Sequence, residues 1–497
     1  MTPPSQQQQQ QPDLKQRTAR TIKWNVVDKV TTQVLYAATG IVLMRELSRE
    51  AFGLVGAVLV VQAFALMFVD SGFASALIQR KDPDNRDYST VFWFNICISV
   101  LIYTLLWFAA PLIADWFHDD RLVTLSRAMF LTVLLSALGI VQTNRMVKRM
   151  NVRPVTVANV AGLALGSAVG IYLAFTRGDA WALVWQSVVT TGAKSLLLWV
   201  MVRWIPAPVF SWSRLRSFFK VGAGVMAGAF LNNVFQNIYG IFIGNRVGML
   251  SLAYYSQADK WSKMGTASLS GVLTSSFLPT LSEVQDSPER LIRATRKMNR
   301  FTAYLLFFGF GWLIAAATPV FHLLFGEKWD AAIILFQLLL VRGIFTVLTS
   351  LYSNYILAMG RSRLLVVAEL LRDAAALAAL VACFPVLALS TPARPTYGLE
   401  LMLYGQIAAS ALMWLLTLIA AAKVTGSGIL GYITDAGVYL LTAAPAVAAA
   451  VAVQALVSSP FMAIAAGGIA AAAVYLAVNA MLGSALQREV LALVFKR

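Results

Sequence analysis

Apolar residues run in continuous blocks of roughly 20 or more from Ile22 to Leu482, separated by short polar or basic links. Each block is long enough to cross ~30 Å of hydrocarbon as a helix. Backbone groups in lipid need internal partners, which leaves only helices or a closed barrel. The blocks are continuous instead of alternating, and that excludes the barrel. They predict an all-α polytopic membrane protein of about fourteen transmembrane helices. The predicted spans are 22–44, 51–78, 88–114, 122–146, 155–175, 181–203, 217–243, 250–282, 299–325, 330–358, 363–390, 399–422, 435–457 and 461–482. No link is large enough to fold as a separate domain. Residues 1–21 are polar, with a glutamine run from Gln6 to Gln11, and are expected to form a disordered cytoplasmic tail. They have no apolar core and do not read as a cleaved signal peptide.

The basic residues alternate with the spans. Arg80, Lys81, Arg86, Arg145, Lys148, Arg149, Arg214, Arg216 and the run from Arg290 to Arg300 fall on one side; Arg45, Arg49, Arg121, Arg127, Arg177 and Lys328 fall in the sparser opposite links. The positive-inside rule makes the richer side cytoplasmic and places both termini there, in the cell inner membrane. An internal repeat aligns Gln33-Val34-Leu35 with Asn233-Val234-Phe235, Gly40-Ile41 with Gly240-Ile241, and Gly53-Leu54 with Ala253-Tyr254. It predicts two six-helix lobes, 22–203 and 217–422, as parallel repeats, with 435–482 as two additional transmembrane helices.

Composition narrows the function. The chain is 59% hydrophobic and only 13% charged, so lipid must cover most of its surface. A net charge of +17 raises nucleic acid as a partner, but the basic residues sit in short links and build no basic domain, so none is expected. Cys97 and Cys383 lie inside apolar blocks and read as small core residues; His118 and His322 are far apart. No metal site or cofactor is read from them. No glycine loop with a lysine cradles a nucleotide phosphate, and no catalytic constellation is visible, so the chain is not read as an enzyme.

Ionisable residues within spans cost roughly 2.5–3.5 kcal/mol each on insertion scales. They are numerous here and should face a protein-enclosed, hydrated cavity. Lys29, Lys194, Lys260, Lys263, Arg342 and Arg372 are read as substrate-binding cations, able to hold an anionic group such as a diphosphate by charge-assisted hydrogen bonds. Lys194 and Arg342 have no acidic neighbour within their own helices. Asn232, Asn233, Gln236 and Asn237 share one face of their span and are read with them, although amides in membrane helices also bond helix to helix. Asp28, Asp70, Asp259, Glu369 and Asp373 are read as coupling or structural charges. Asp259 with Lys263, and Glu369 with Arg372, stand at spacings that allow them to pair.

Several segments also resemble one family. Leu47-Ser48-Arg49-Glu50-Ala51-Phe52-Gly53 is similar to the family's L-S-P-E-D-F-G turn, with Arg49 where proline is common. Asp70-Ser71-Gly72-Phe73, Ala76 to Lys81, Leu278-Pro279-Thr280-Leu281-Ser282 and Gly326-Glu327-Lys328-Trp329 look like further family segments. Together they resemble the Wzx-type oligosaccharide flippases of the polysaccharide transporter family, in the colanic-acid and exopolysaccharide subgroup. The resemblance implies the multidrug/oligosaccharidyl-lipid/polysaccharide exporter superfold. It implies flipping of an undecaprenyl-diphosphate-linked oligosaccharide repeat unit across the inner membrane by alternating access, for exopolysaccharide or lipopolysaccharide biosynthesis. Membrane lipid, the polysaccharide polymerase and the chain-length machinery are the further partners it suggests. It hands over no fixed list of binding residues. Rival readings are a peptidoglycan-precursor flippase or drug exporter of the same superfold, a membrane-embedded polysaccharide polymerase or ligase, and a non-transporting scaffold. An acidic cavity would suit a cationic-drug exporter better, and short outer links leave little room for a polymerase active site.

Overall fold

The computed structural model describes residues 11–69, 73–284, 287–391 and 394–495. They form eighteen α-helices: α1 (Gln11–Glu46), α2 (Arg49–Val69), α3 (Phe73–Gln79), α4 (Asn85–Phe117), α5 (Arg121–Met129), α6 (Leu131–Lys148), α7 (Arg153–Thr176), α8 (Trp181–Val202), α9 (Trp212–Arg246), α10 (Met249–Val284), α11 (Pro288–Ala315), α12 (Ala317–Leu324), α13 (Asp330–Ala358), α14 (Ser362–Cys383), α15 (Tyr397–Thr425), α16 (Ile429–Ala455), α17 (Pro460–Met481) and α18 (Ala485–Phe495). Among the described residues the one β feature is an isolated bridge between Thr391 and Arg394.

Helices occupy the described residues of each predicted span, but four spans are not single straight helices; the eleventh gives way after Cys383 to a short 3-10 turn over Pro385–Leu389. The second is α2 followed by α3, and the fourth breaks at Phe130 into α5 and α6. The ninth bends by 61° between α11 and α12. Pro319 explains that bend, because its ring collides with the carbonyl of Ala315 and it offers no N–H to the helix. Among the described residues nine helices are long and apolar enough to cross a membrane, or ten with the bent pair. The protein is thus a multi-pass membrane protein. The remaining long helices, α8, α9, α10 and α14, are the ones carrying Lys194, the asparagine cluster, Asp259 to Lys263 and Glu369 to Asp373. Residues 11–21, expected to be disordered, belong to α1: extending a nucleated helix is far easier than starting one. Residues 1–10 lie outside the described residues. Cys97 is exposed, not in the core, whereas Cys383 is partly covered. The outer surface is strongly apolar, with Leu441 and Leu456 74% and 85% exposed, as lipid contact requires.

The chain divides into two compact units, Met1–Ala253 and Tyr254–Arg497. In the first unit α9 packs on α2, α3 and α4. The family-like turn has a structural task here. Ser48 Oγ accepts from the Ala51 N–H at 3.3 Å, and Glu50 pairs with Arg121 at 3.5 Å. Gly53 allows a close approach, since a Cβ there would lie 2.0 Å from the Met249 carbonyl oxygen. In the second unit α16 packs against α11 and α17. Tyr432 donates to Thr295 Oγ1 at 2.9 Å, Asn299 donates to the Tyr432 carbonyl at 2.9 Å, and Tyr352 donates to Asn299 at 2.9 Å. This buried network ties α16 to α11 and α13, where unpaired polar groups would be expensive.

A charged cluster fixes the start of α9 to the link before α4. Asp84 caps α4 in a reciprocal capping box with Asp87. The Asp87 carboxylate, 1% exposed, meets Arg80 at 3.1 Å and Arg214 at 2.8 Å; Arg214 also bonds Asp84. Desolvation works against the charged form of Asp84, but the Arg214 guanidinium and the Asp87 N–H outweigh it and hold the carboxyl below its ordinary range. A lowered folded pKa stabilises above the unfolded value, and the contribution disappears as pH falls through the folded value. Asp84→Asn is therefore expected to melt slightly below the parent at about pH 7, with the difference shrinking once pH falls below the ordinary carboxylate value of about 4. Melting curves of the detergent-solubilised pair above and below that value check this. The effect should be small because Asp84 is half-exposed.

Candidate functional site

Five helices of the first unit, α1, α2, α6, α7 and α8, line an open cavity of about 550 Å³. Its lining follows helical spacing. α1 supplies Asp28, Thr32 and Tyr36 at successive i+4 steps, and α6 supplies Thr132, Ser136, Thr143 and Asn144. α7 adds Asn159, and α8 adds Thr190, Thr191 and Lys194. Asn159 Nδ2 donates to the Asp28 carboxylate at 3.2 Å. Asn144 Nδ2 is buried and has no hydrogen-bond partner among the described residues, so it remains available to a polar guest or water. The chamber offers one cation, one carboxylate and a wall of hydroxyls and amides.

Small residues set the shape of this chamber. Gly162, Gly166 and Gly170 recur every four residues along α7 and face α8. A Cβ on Gly166 would lie 1.9 Å from Thr190 Oγ1 and 2.6 Å from the Gln186 carbonyl oxygen. One on Gly162 would lie 2.9 Å from the Lys194 backbone nitrogen. The stripe draws α8 against α7 and so sets the height of Thr190 and Lys194. Thr39 donates to Ser167 at 2.8 Å, and Ser195 donates to the Leu135 carbonyl at 2.6 Å; these bonds hold α1 and α6 to the same pair.

The predicted residues separate into groups. Lys194 and Asp28 share the cavity. Lys29 does not line it: next to Asp28, it is turned by about 100° on the helix and is exposed. Asn233 donates to the Ala63 carbonyl at 3.0 Å, and Asn237 donates back to the Asn233 side chain at 3.0 Å. Asn233 thus joins α9 to α2, and Asn237 holds Asn233 from one turn along the same helix. The side chains of Asn232 and Gln236, and Asp70 as a whole, lie outside the described residues.

In the second unit the charges pair. Asp259 on α10 takes Lys263 at 2.6 Å and Arg342 of α13 at 3.0 Å, while Arg342 also donates to Gln406 of α15 at 2.5 Å. The partner that Arg342 lacks along its own helix is supplied by a neighbouring one. Lys260 is exposed, with its ammonium 5.8 Å from the Trp261 ring centroid. Arg372 meets Glu369 at 2.5 Å and Asp373 at 3.3 Å on α14. Sequence reasoning missed the hydroxyl stripe of α6 and the glycine stripe of α7. Both are periodic in the sequence, but neither carries the charge that drew attention elsewhere.

Residues 42–334 match the polysaccharide biosynthesis protein family, more than half of the chain. The chain belongs to that family. Among its relatives, the teichuronic acid biosynthesis protein TuaB of Bacillus subtilis is 27% identical over 303 residues, covering 61% of this chain and 63% of TuaB. The succinoglycan biosynthesis transport protein ExoT of Rhizobium meliloti is 27% identical over 350 residues, or 70% of each chain. The fold is similar to that of a solved structure of the lipid II flippase MurJ, with a TM-score of 0.66 at 14% identity over 95% of this chain and 100% of MurJ.

Proposed function

We propose that the protein flips a lipid-linked oligosaccharide repeat unit across the inner membrane for exopolysaccharide or lipopolysaccharide assembly. The observation that carries this reading is the hydroxyl- and amide-lined cavity with Lys194 in a member of a polysaccharide biosynthesis family. Sugars are recognised by many neutral hydrogen bonds, and a diphosphate by a cation. The chamber has both kinds of group, and the work is transport instead of catalysis. In this reading the carrier is undecaprenyl diphosphate, and residues 22–203 and 217–422 alternate access between the two leaflets. In the same reading the chain crosses fourteen times with both termini in the cytoplasm, as the basic bias of the links favours, and the product passes to the polymerase and chain-length machinery.

The test is a deletion strain. Loss of the protein should stop polymer production while undecaprenyl-diphosphate-linked repeat units accumulate, measured by lipid extraction and mass spectrometry. Re-expression should clear them. Rescue of cells depleted of their peptidoglycan-precursor flippase, with no accumulated repeat units, would support the rival substrate instead.

A further inference from the structure

A second, smaller pocket of about 280 Å³ lies in the second unit between α11 and α18. Arg293, Arg296, Lys297 and Arg300 line it from α11, and Leu486 and Glu489 from α18. α16 supplies a carboxylate beneath them. Asp435, 5% exposed, accepts from Arg296 at 2.7 and 2.9 Å and pairs with Arg300 at 2.7 Å. One carboxylate therefore clamps two guanidinium groups side by side, and each guanidinium keeps further N–H donors. Lys297 pairs with Glu489 at 2.6 Å. Arg293 is exposed and has no ion pair among the described residues. Four cations thus face two carboxylates.

α11 reads basic through Arg300 and apolar from Phe301 onward, so the pocket sits where a membrane-spanning helix meets water. Arg296 lies over Gly431 of α16, with a contact of 3.6 Å to a Cβ built there. The next residue toward the helix start, Leu430, is 73% exposed. A charged cradle beside bare apolar surface suits a phosphate with or without an attached chain.

We propose that this pocket binds a phosphate-bearing anion, either the headgroup of an anionic phospholipid or a soluble phosphate, at a site separate from the first unit's cavity. The preformed arginine pair supplies fork-shaped donors. Arg293 supplies uncompensated charge, and Glu489 competes with the guest for Lys297.

The test uses the purified full-length protein in detergent. Native mass spectrometry would follow retention of phosphatidylglycerol against phosphatidylcholine, and thermal melting would follow inorganic phosphate. The parent should prefer the anionic probe. Arg293→Ala should weaken binding by about three- to tenfold, the worth of one charge-assisted contact at an exposed site. Glu489→Gln should strengthen it. Both side chains are exposed and neither touches Asp435, so both variants should melt near the parent without probe. Phosphatidylglycerol that inorganic phosphate cannot displace assigns the lipid source. Stabilisation by inorganic phosphate that is lost in Arg293→Ala assigns a soluble one. Equal retention of both lipids with no phosphate effect, or identical behaviour of all three proteins, overturns the proposal.

Discussion

Gly166→Val is expected to lower the melting temperature sharply and to leave little correctly folded protein in the membrane. The valine Cβ would stand 1.9 Å from Thr190 Oγ1 and 2.6 Å from the Gln186 carbonyl oxygen. The hydroxyl can rotate away, but the carbonyl belongs to the α8 backbone and cannot. α8 must therefore separate from α7, which loses dispersion contacts along the interface. Overpacking of this kind costs about 1–3 kcal/mol or more. The natural control is Gly192→Ala on α8. There a Cβ meets only the two Leu135 methyls, at 3.5 and 3.9 Å, and alanine is the better helix former by roughly 1 kcal/mol. That variant should be as stable as the parent or more so. Melting curves of the two in detergent should move in opposite directions. If both fall alike, the glycine stripe does not set the α7–α8 distance.

Lys194→Ala is expected to reduce polymer export by about 10- to 100-fold while the protein remains in the membrane near its normal amount. Losing a hydrogen bond to a charged group corresponds to roughly 1.5–3 kcal/mol, which sets that range. Lys194 lines the cavity from α8, and its loss leaves the α7–α8 glycine contacts in place. Polymer yield divided by membrane protein level is the quantity to compare. Normal export from normal amounts would remove Lys194 from the transport path. A variant missing from the membrane would make it a structural partner. Arg342→Ala is a useful companion, because Asp259 keeps Lys263 at 2.6 Å after the arginine is gone and no carboxylate is orphaned. Arg342→Lys should keep part of any activity, although lysine cannot bridge Asp259 and Gln406 with one planar fork.

Much of this protein is legible in its sequence because the bilayer is an undemanding reader. Hydrocarbon accepts only long apolar helices, so the blocks from Ile22 to Leu482 determine an all-helical membrane protein, whatever packs against what. Charges within those blocks are expensive enough to stand out individually, but cost alone does not separate Asp28 and Lys194, which line the cavity, from Lys29, which does not. Short-range pairing was legible too: Asp259 with Lys263 and Glu369 with Arg372 follow from helical spacing. What the sequence could not decide is which helix lies beside which. The tertiary structure placed Asp259 and Gln406 around Arg342, set Asn233 against the backbone of α2, and turned Lys29 away from the chamber that its neighbour Asp28 enters. The reason is physical. Transfer into lipid is a sum over single residues and can be read position by position. A cavity or an ion pair between helices depends on rotation and distance, set by contacts such as those of Gly53 and Gly166, where the missing side chain is the information.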